Sequence, residues 1–545
     1  MHESPLSADL HHPAAPAGDV PGRLFSYGVR HWADKIAISD GKSHYTFHAL
    51  EQMALRLAHW LQQQGVQPGS HVPVLAQKQA LMPVLAVAAW KVGAVYVPLD
   101  SQQPPARLQQ LLARLDARVV LAFGGTPLTH DHQWLIGDAL RAVCTQHEPL
   151  PEGSAHPLQA ADSAYIIFTS GSTGEPKGVE ISVGSLYAYF RAHNEVLQFT
   201  GHSRVFSLAP FHFDVSIEDT LLPLSLGAYV YQFNGVHAGA IMRSVIIREA
   251  ITHLIAVSTL LTLITEGGAQ VRPENFPALE MVMTGAEVCD PKVINTWKTR
   301  LPQVRLINAY GPTETTIVCL CYTIEQADEQ RTSAYPIGLP LAGVETLILL
   351  ESGRAAATGE DGELCIGGEL VMKGYLGRPD LTAQVIFQRD GVRFYRTGDI
   401  CRRLPDGNIL YLGRRDDEVK LAGRRIHLGE IRQQCLASPG VARAAVRLIE
   451  RDGKPQIAVV LSGHTSGLLA QVEAHLATVL PVYMRPTLWG LVEEVNLSTT
   501  GKTDERQLLD QLAHAAGQLA ARYFLRPEGG AFIPLTGADH EAHSL

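Results

Sequence analysis

A β-branched and aromatic run that breaks into a glycine- and hydroxyl-rich loop constrains this chain more than any other feature: YIIFTSGSTGEPKG, Tyr165 to Gly178. The apolar part predicts a buried strand. Gly171, Gly174 and Gly178 carry no Cβ, so the backbone there can turn left-handed and approach a ligand closely. Thr169, Ser170, Ser172 and Thr173 add hydroxyls, and Lys177 adds a point charge. Such a loop can wrap polyphosphate oxygens with N–H groups and hydroxyls. It is no Walker loop, which needs a hydroxyl residue after the lysine; here Val179 follows Lys177–Gly178. Turn chemistry alone is the plain alternative.

The rest of the chain gives this loop a setting. From residue 45 to about 410, helical and strand patterns alternate. Leu50, Met53, Ala54, Leu57 and Leu61 fall at helical spacing; Val72–Ala76, Val95–Leu99 and Arg118–Phe123 read as buried strands. This alternation predicts α/β layers with partly parallel sheets, in which ligands bind at the carboxyl ends of strands. The texture changes after Gly407. Glu418–Ile426 alternates like a hairpin, and short helix- and strand-like segments follow. The expected fold is therefore α/β: a large N-terminal domain of layered sheets and helices (23–412), and a small, mobile α+β C-terminal domain (413–510) joined by a hinge at about 412–417. Residues 1–22 read as a flexible tail. Asp504–Phe524 reads as helical, with Leu508, Leu509, Leu512 and Leu519 on one face, and 511–545 as a helical extension and tail.

Composition narrows the function class. A chain of 545 residues exceeds one ordinary core, and 46% apolar content supplies ample core material. The longest apolar run, Ala80–Trp90, is too short to span a bilayer. No cation precedes Arg23 and no long apolar segment follows the start, so a secretory signal and a membrane role are not expected. A net charge of −9, spread along the chain, argues against nucleic-acid binding. Seven scattered cysteines lack zinc-site spacing and suggest free thiols in a reducing cytoplasm.

Further motifs follow the loop in fixed order. Upstream stands Trp90–Asp100 (WKVGAVYVPLD). Downstream come Asn308–Glu314 (NAYGPTE), Gly362–Gly368 with Gly374–Leu376, Tyr395–Asp399 (YRTGD) and Gly413-Arg414 with Asp416. Val419–Ile426, Leu480–Met484 and Gly501-Lys502 complete the set. Together they resemble the adenylate-forming superfamily, and within it the amino-acid adenylation domains of nonribosomal peptide synthesis, over roughly residues 25–510.

The resemblance implies an AMP-forming ligase of the kind used in antibiotic biosynthesis. ATP and Mg²⁺ would activate an amino acid as aminoacyl-adenylate, and the phosphopantetheine thiol of a carrier protein supplied in trans would receive it. It implies that Thr169, Ser170, Gly171, Ser172, Thr173, Gly174 and Lys177 hold phosphates, and that Gly285, Ala286, Glu287, Asn308, Ala309, Tyr310, Gly311 and Thr313 surround the nucleotide. Tyr310 would stack on adenine. Asp399 resembles the ribose-binding carboxylate, Arg414 the arginine that reaches ribose and phosphates, Glu314 the Mg²⁺ ligand, and Lys502 the catalytic lysine. Asp416 resembles the pivot of the small domain, and Gly423 leaves room for the pantetheine arm. Plainer readings stand beside these: a dipole-favoured helix carboxylate for Glu314, an Asx-turn for Asp399, hinge decoration for Arg414, a solvated lysine for Lys502 and a simple hairpin turn for Gly423.

Asp214 resembles the aspartate that binds the α-ammonium of an amino acid, against the alternative of an N-cap. The implied side-chain pocket is Val215, Glu218, Ile255, Val282, Thr284, Ala309, Ile317 and Val318. Most are aliphatic, which suits a small or medium apolar side chain or proline. Glu218 either faces solvent or reads a second amine or hydroxyl, so a diamino acid stays open. Departures from the family pattern are Asn496 for proline, Thr500 for asparagine, a shifted Arg506, His427 for an acidic residue and Asp219 for glutamate. No carrier-protein site follows residue 510. An acyl- or aryl-CoA ligase, or a nucleotide-binding domain without turnover, are the rival readings.

Overall fold

The computed structural model describes residues 21–171, 175–288, 290–331, 333–415, 418–451, 454–462, 467–492, 522–525 and 533–534. The chain divides into two compact units, one of 1–101, 112–169 and 178–415, the other of 102–111, 170–177 and 416–545.

In the first unit, helix α1 (Phe47–Gln63) starts where the Thr46 hydroxyl accepts from the Ala49 N–H at 3.1 Å, the usual N-cap bond. Leu50, Ala54, Leu57, Ala58 and Leu61 are its buried stripe. Strand β1 (His71–Ala76) leads to α2 (Met82–Lys91), a wholly buried helix with proline in its first turn. There the missing proline N–H breaks no intrahelical bond. β2 (Val95–Asp100), β3 (Val119–Ala122) and β4 (Ser163–Thr169) follow, and β1–β2, β1–β3 and β2–β4 all pair parallel. Trp90 ties α2 to β4 by donating to the Ala164 carbonyl at 2.7 Å. The glycine-rich loop thus leaves the carboxyl end of a buried strand, and β5 (Lys177–Ser182) follows it.

Helix α3 (Val183–Leu197) precedes a nine-stranded sheet. Its parallel part runs β7 (Tyr229–Gln232), β6 (Arg204–Ser207), β8 (His253–Ile255), β9 (Met281–Gly285), β10 (Arg305–Tyr310); β11 (Leu320–Ile324) pairs antiparallel with β10. Alternation along the strands divides the apolar residues between two cores. Ile255, Met281, Met283, Ile307 and Ala309 join the larger one, and Leu254, Val282 and Leu306 the other. A third, antiparallel sheet carries β12 (Asp361–Gly368), β13 (Val392–Arg403) and β14 (Ile409–Arg414).

In the second unit, β15 (Glu418–Leu421) and β16 (Arg424–His427) form the expected hairpin. Its two turn residues, Ala422 and Gly423, have φ of 50° and 74°, as tight hairpin turns require. His427 caps α4 (Leu428–Leu436), its ring accepting from the Gly429 N–H at 3.2 Å. β17 (Arg443–Arg451), β18 (Lys454–Ser462), α5 (Leu468–Val479) and β19 (Leu488–Val492) complete a core of Ile426, Ile431, Val459, Leu476 and Trp489. One expectation is corrected. Arg522–Leu525, the end of the predicted helix, is strand β20, antiparallel to β19 and followed by β21 (Ile533–Pro534). Tyr, Phe and Leu in succession suit a strand, and pairing in the sheet overrides the helical spacing of the leucines before them.

Candidate active site

Strands β13 and β14 bring Asp399 and Arg414 into register. Arg414 Nη1 donates to Asp399 Oδ1 at 2.8 Å and to the Thr397 carbonyl at 3.0 Å. The Tyr310 hydroxyl, at the end of β10, donates to the other Asp399 oxygen. Burial, then the Asp399 charge, hold that phenol far above its ordinary pKa. Asp399 lies within a strand, so the turn reading falls, and Arg414 is a buried partner of the carboxylate rather than decoration.

Around Tyr310 the backbone is tightly drawn. A Cβ on Gly311 would stand 2.2 Å from the Ile317 carbonyl oxygen, which excludes any larger residue. Thr316 and the β-branched Ile317 have φ of 56° and 74°, a strained conformation held partly by the Thr316 hydroxyl on the Leu370 carbonyl at 2.7 Å. Glu314 lies in the short 3₁₀ turn Thr313–Thr315, buried, and accepts from the Tyr375 hydroxyl at 2.8 Å. It starts no longer helix, so a helix-dipole role does not account for it. Asn308 donates from Nδ2 to the Pro336 carbonyl at 2.7 Å. Ala286 stands at φ 63° just past β9, and Glu287 accepts from the Thr259 hydroxyl at 2.9 Å.

Part of the expected acyl pocket gathers on one face of the nine-stranded sheet. Asp214 is buried, hydrogen-bonded to the Thr313 side chain and the Val215 N–H, and is pushed up to about 6, first by burial and also by the charges of Glu218 and Glu314. No described cation forms a salt bridge with it. Residues 215 and 216 are already helical, so Asp214 stands directly before the helix and the N-cap reading stays open beside the ammonium one. Glu218 does not face solvent: it is 1% exposed, with His193 Nδ1 of α3 at 3.0 Å. Ile255, Ala309, Ile317, Val318 and, at its edge, Val215 share one apolar cluster. Val282 does not join them. It packs with its register neighbours Leu254 and Leu306 on the opposite face, and Thr284, two residues on, follows it there. The other face of β9 carries Met283 and Gly285, the latter in register with Ala309.

In the second unit the loop's Ser170 hydroxyl donates to the Arg425 carbonyl at 3.0 Å and accepts from the His427 N–H at 3.2 Å. A Cβ on Gly171 would stand 2.1 Å from the Glu175 carbonyl oxygen. Arg107 pairs with the buried Glu430 at 2.7 Å. Lys177 opens β5 and is half-buried, and Gly423 sits in the hairpin turn. Ser172, Thr173, Gly174, Asp416 and Lys502 lie outside the described residues. Sequence reading missed Tyr165, Tyr189, His193, Met283 and Cys321. The available signal was Tyr189 and His193, polar residues four apart on one buried face of α3.

Comparison with known proteins places this fold in a family. The model of the AMP-binding enzyme family matches residues 25–376. Tyrocidine synthase 1 of Brevibacillus parabrevis is 32% identical over 92% of this chain and 46% of its own length. Novobiocin biosynthesis protein H of Streptomyces niveus is 33% identical over 89% of this chain and 82% of its own. A solved nonribosomal peptide synthetase protein containing adenylation and carrier domains, bound to a vinylsulfonamide inhibitor, is 26% identical with a TM-score of 0.77, over 90% of this chain and 84% of that one. The chain belongs to the AMP-binding enzyme family, among its adenylation domains of nonribosomal-peptide-synthetase type. It spans under half the length of the first curated relatives it matches. Among the described residues no helix is long and apolar enough to cross a membrane, and no group of three or more His, Cys, Asp or Glu could hold a metal.

Proposed function

We propose that the chain uses ATP to activate an amino acid and passes it to the phosphopantetheine thiol of a carrier protein. In the first step a substrate carboxylate oxygen attacks the α-phosphorus, the bond to the β-phosphate bridge breaks, and pyrophosphate leaves. In the second the thiolate attacks the acyl carbon, the acyl–oxygen bond to AMP breaks, and AMP leaves with that electron pair. The observation that carries the amino-acid reading is Asp214, a buried carboxylate without a described salt-bridge partner. Burying a charge is favourable only with a partner, and an α-ammonium supplies it.

Asp399 accepts from the ribose hydroxyls, beside its ion-pair partner Arg414. Tyr310 offers its ring to adenine, and Asn308, its Nδ2 committed to Pro336, offers Oδ1 to the adenine amine. Residues Thr169 to Lys177 grip the phosphates. Ser170 does so after releasing Arg425 and His427. Glu314 is a hard oxygen donor suited to Mg²⁺, which usually takes one or two carboxylates plus phosphate oxygens. When bound, that ion neutralises phosphate charge. Lys502 is the cation that stabilises the transferring group. The carrier-protein partner rests on the solved adenylation–carrier protein that the chain resembles. Free cysteines throughout the described residues suit a reducing, cytoplasmic setting.

The test is amino-acid-dependent ATP–pyrophosphate exchange. Asp214→Ala should weaken use of an amino acid far more than use of its des-amino analogue. Equal losses on both would remove the ammonium contact, and release of a CoA thioester as main product would replace the carrier protein.

A further inference from the structure

Glu218 is a buried carboxylate for which the adenylation chemistry has no task. It is 1% exposed, and neither of its oxygens has a hydrogen-bond partner among the described residues. His193, fully buried, brings Nδ1 to 3.0 Å, but that nitrogen also meets the Tyr189 hydroxyl at 2.7 Å, and Nε2 faces Cys321 Sγ at 3.6 Å. Cys321 stands in register with Ala309, on the pocket face of the sheet. Glu218 follows Asp214 by four residues, and its charge adds to what raises the Asp214 carboxyl. Two buried acidic groups four residues apart, one imidazole beside Glu218 and, among the described residues, no arginine or lysine salt bridge to either make an arrangement short of positive charge.

We propose that Glu218, oriented by His193, receives a second, side-chain ammonium on the substrate, so that the enzyme activates a diamino acid. This rests on the amino-acid reading above. Asp214 takes the α-ammonium and Glu218 the distal one, giving each carboxylate its own cation. An ammonium fits better than a hydroxyl because it brings three donors and a charge to two bare oxygens, where a hydroxyl brings one hydrogen. His193 is a positioning residue. Its Nδ1, 3.0 Å from the carboxylate, limits the rotamers open to Glu218, while Ile255, Met283, Ile317 and Val318 supply apolar surface for the methylene stem.

The experiment is the exchange assay on wild type with 2,4-diaminobutyrate, ornithine and lysine against norvaline, norleucine and homoserine. One diamino acid should exceed its best uncharged rival in kcat/KM by about 100-fold or more. Glu218→Gln should lower that substrate about 30-fold or more, so that the preference for the diamino acid over its uncharged rivals collapses; a preference kept in the variant overturns the inference. His193→Leu should raise KM for the diamino acid while kcat and the KM for ATP hold. His193→Asn, which keeps an N–H donor, should restore part of the loss. An aliphatic or hydroxy amino acid preferred by wild type overturns the inference and leaves amino-acid activation standing, whatever the variants do. No exchange with any amino acid overturns both.

Discussion

Arg414 and Asp399 face each other across two antiparallel strands, their side chains meeting at 2.8 Å with both groups nearly out of solvent. The pair gives a carboxylate buried within a sheet its compensating partners. The guanidinium balances its charge, and the Tyr310 hydroxyl satisfies its second oxygen. Removing one member leaves the other buried and uncompensated, which is strongly destabilising, on the order of 3–5 kcal/mol. Asp399→Ala is therefore expected to lower the melting temperature by many degrees. Asp399→Asn, which keeps an acceptor for Tyr310, should fold but raise KM for ATP about tenfold or more. An unchanged KM in a folded Asn variant would take Asp399 out of the nucleotide site.

Asp214 makes amino-acid binding depend on pH in a definite direction. Its carboxyl is raised to about 6 from an ordinary value of 3.8, chiefly by burial. The unliganded fold thus binds this proton more tightly than the unfolded chain, and stability falls as pH rises from about 4 through about 6. An α-ammonium binds the ionised form. KM for the amino acid should then climb as pH drops below about 6, and saturating amino acid should raise the melting temperature more at pH 7.5 than at pH 5. Equal thermal shifts at both would show that Asp214 does not meet the ammonium.

How much of this was legible beforehand differs by region. The layers were readable because α2 and the parallel strands are buried on all sides and so write continuous apolar runs into the sequence. Asp399, Arg414 and Tyr310 were readable as motif members, but their mutual contact was not, since it depends on the register of β13 against β14 and on β10, which belongs to another sheet. For Val282, motif matching names the strand, while the face is decided by parity, which the pairing of Gly285 with Ala309 fixes. Arg522–Leu525 failed differently: a neighbouring strand, remote in sequence, decided its conformation. Glu218 could not be placed because its partner lies on another element, 25 residues upstream.

Lys502→Ala separates binding from chemistry. A lysine that acts on the transferring phosphoryl group contributes in the transition state and little before it. Exchange should fall about 100-fold or more, while ATP affinity, read by equilibrium binding, stays within about threefold. Parallel losses in both would make Lys502 a ground-state ligand, and undiminished exchange would remove it from the mechanism.

The parity of β9 gives the last expectation, because Met283 and Val282 are adjacent in sequence yet lie in different cores. Met283→Ala shortens a side chain on the face shared with Ile255 and Ala309, so it should widen the pocket and shift preference toward longer substrates. Val282→Ala removes two methyl groups from the opposite core, with a stability loss of roughly 2 kcal/mol and no change in the order of substrates. If Val282→Ala reordered the substrate panel while Met283→Ala only lowered the melting temperature, the face assignment would be reversed. The register of β9 against β10 would then have to shift by one residue, which would carry Gly285 away from Ala309.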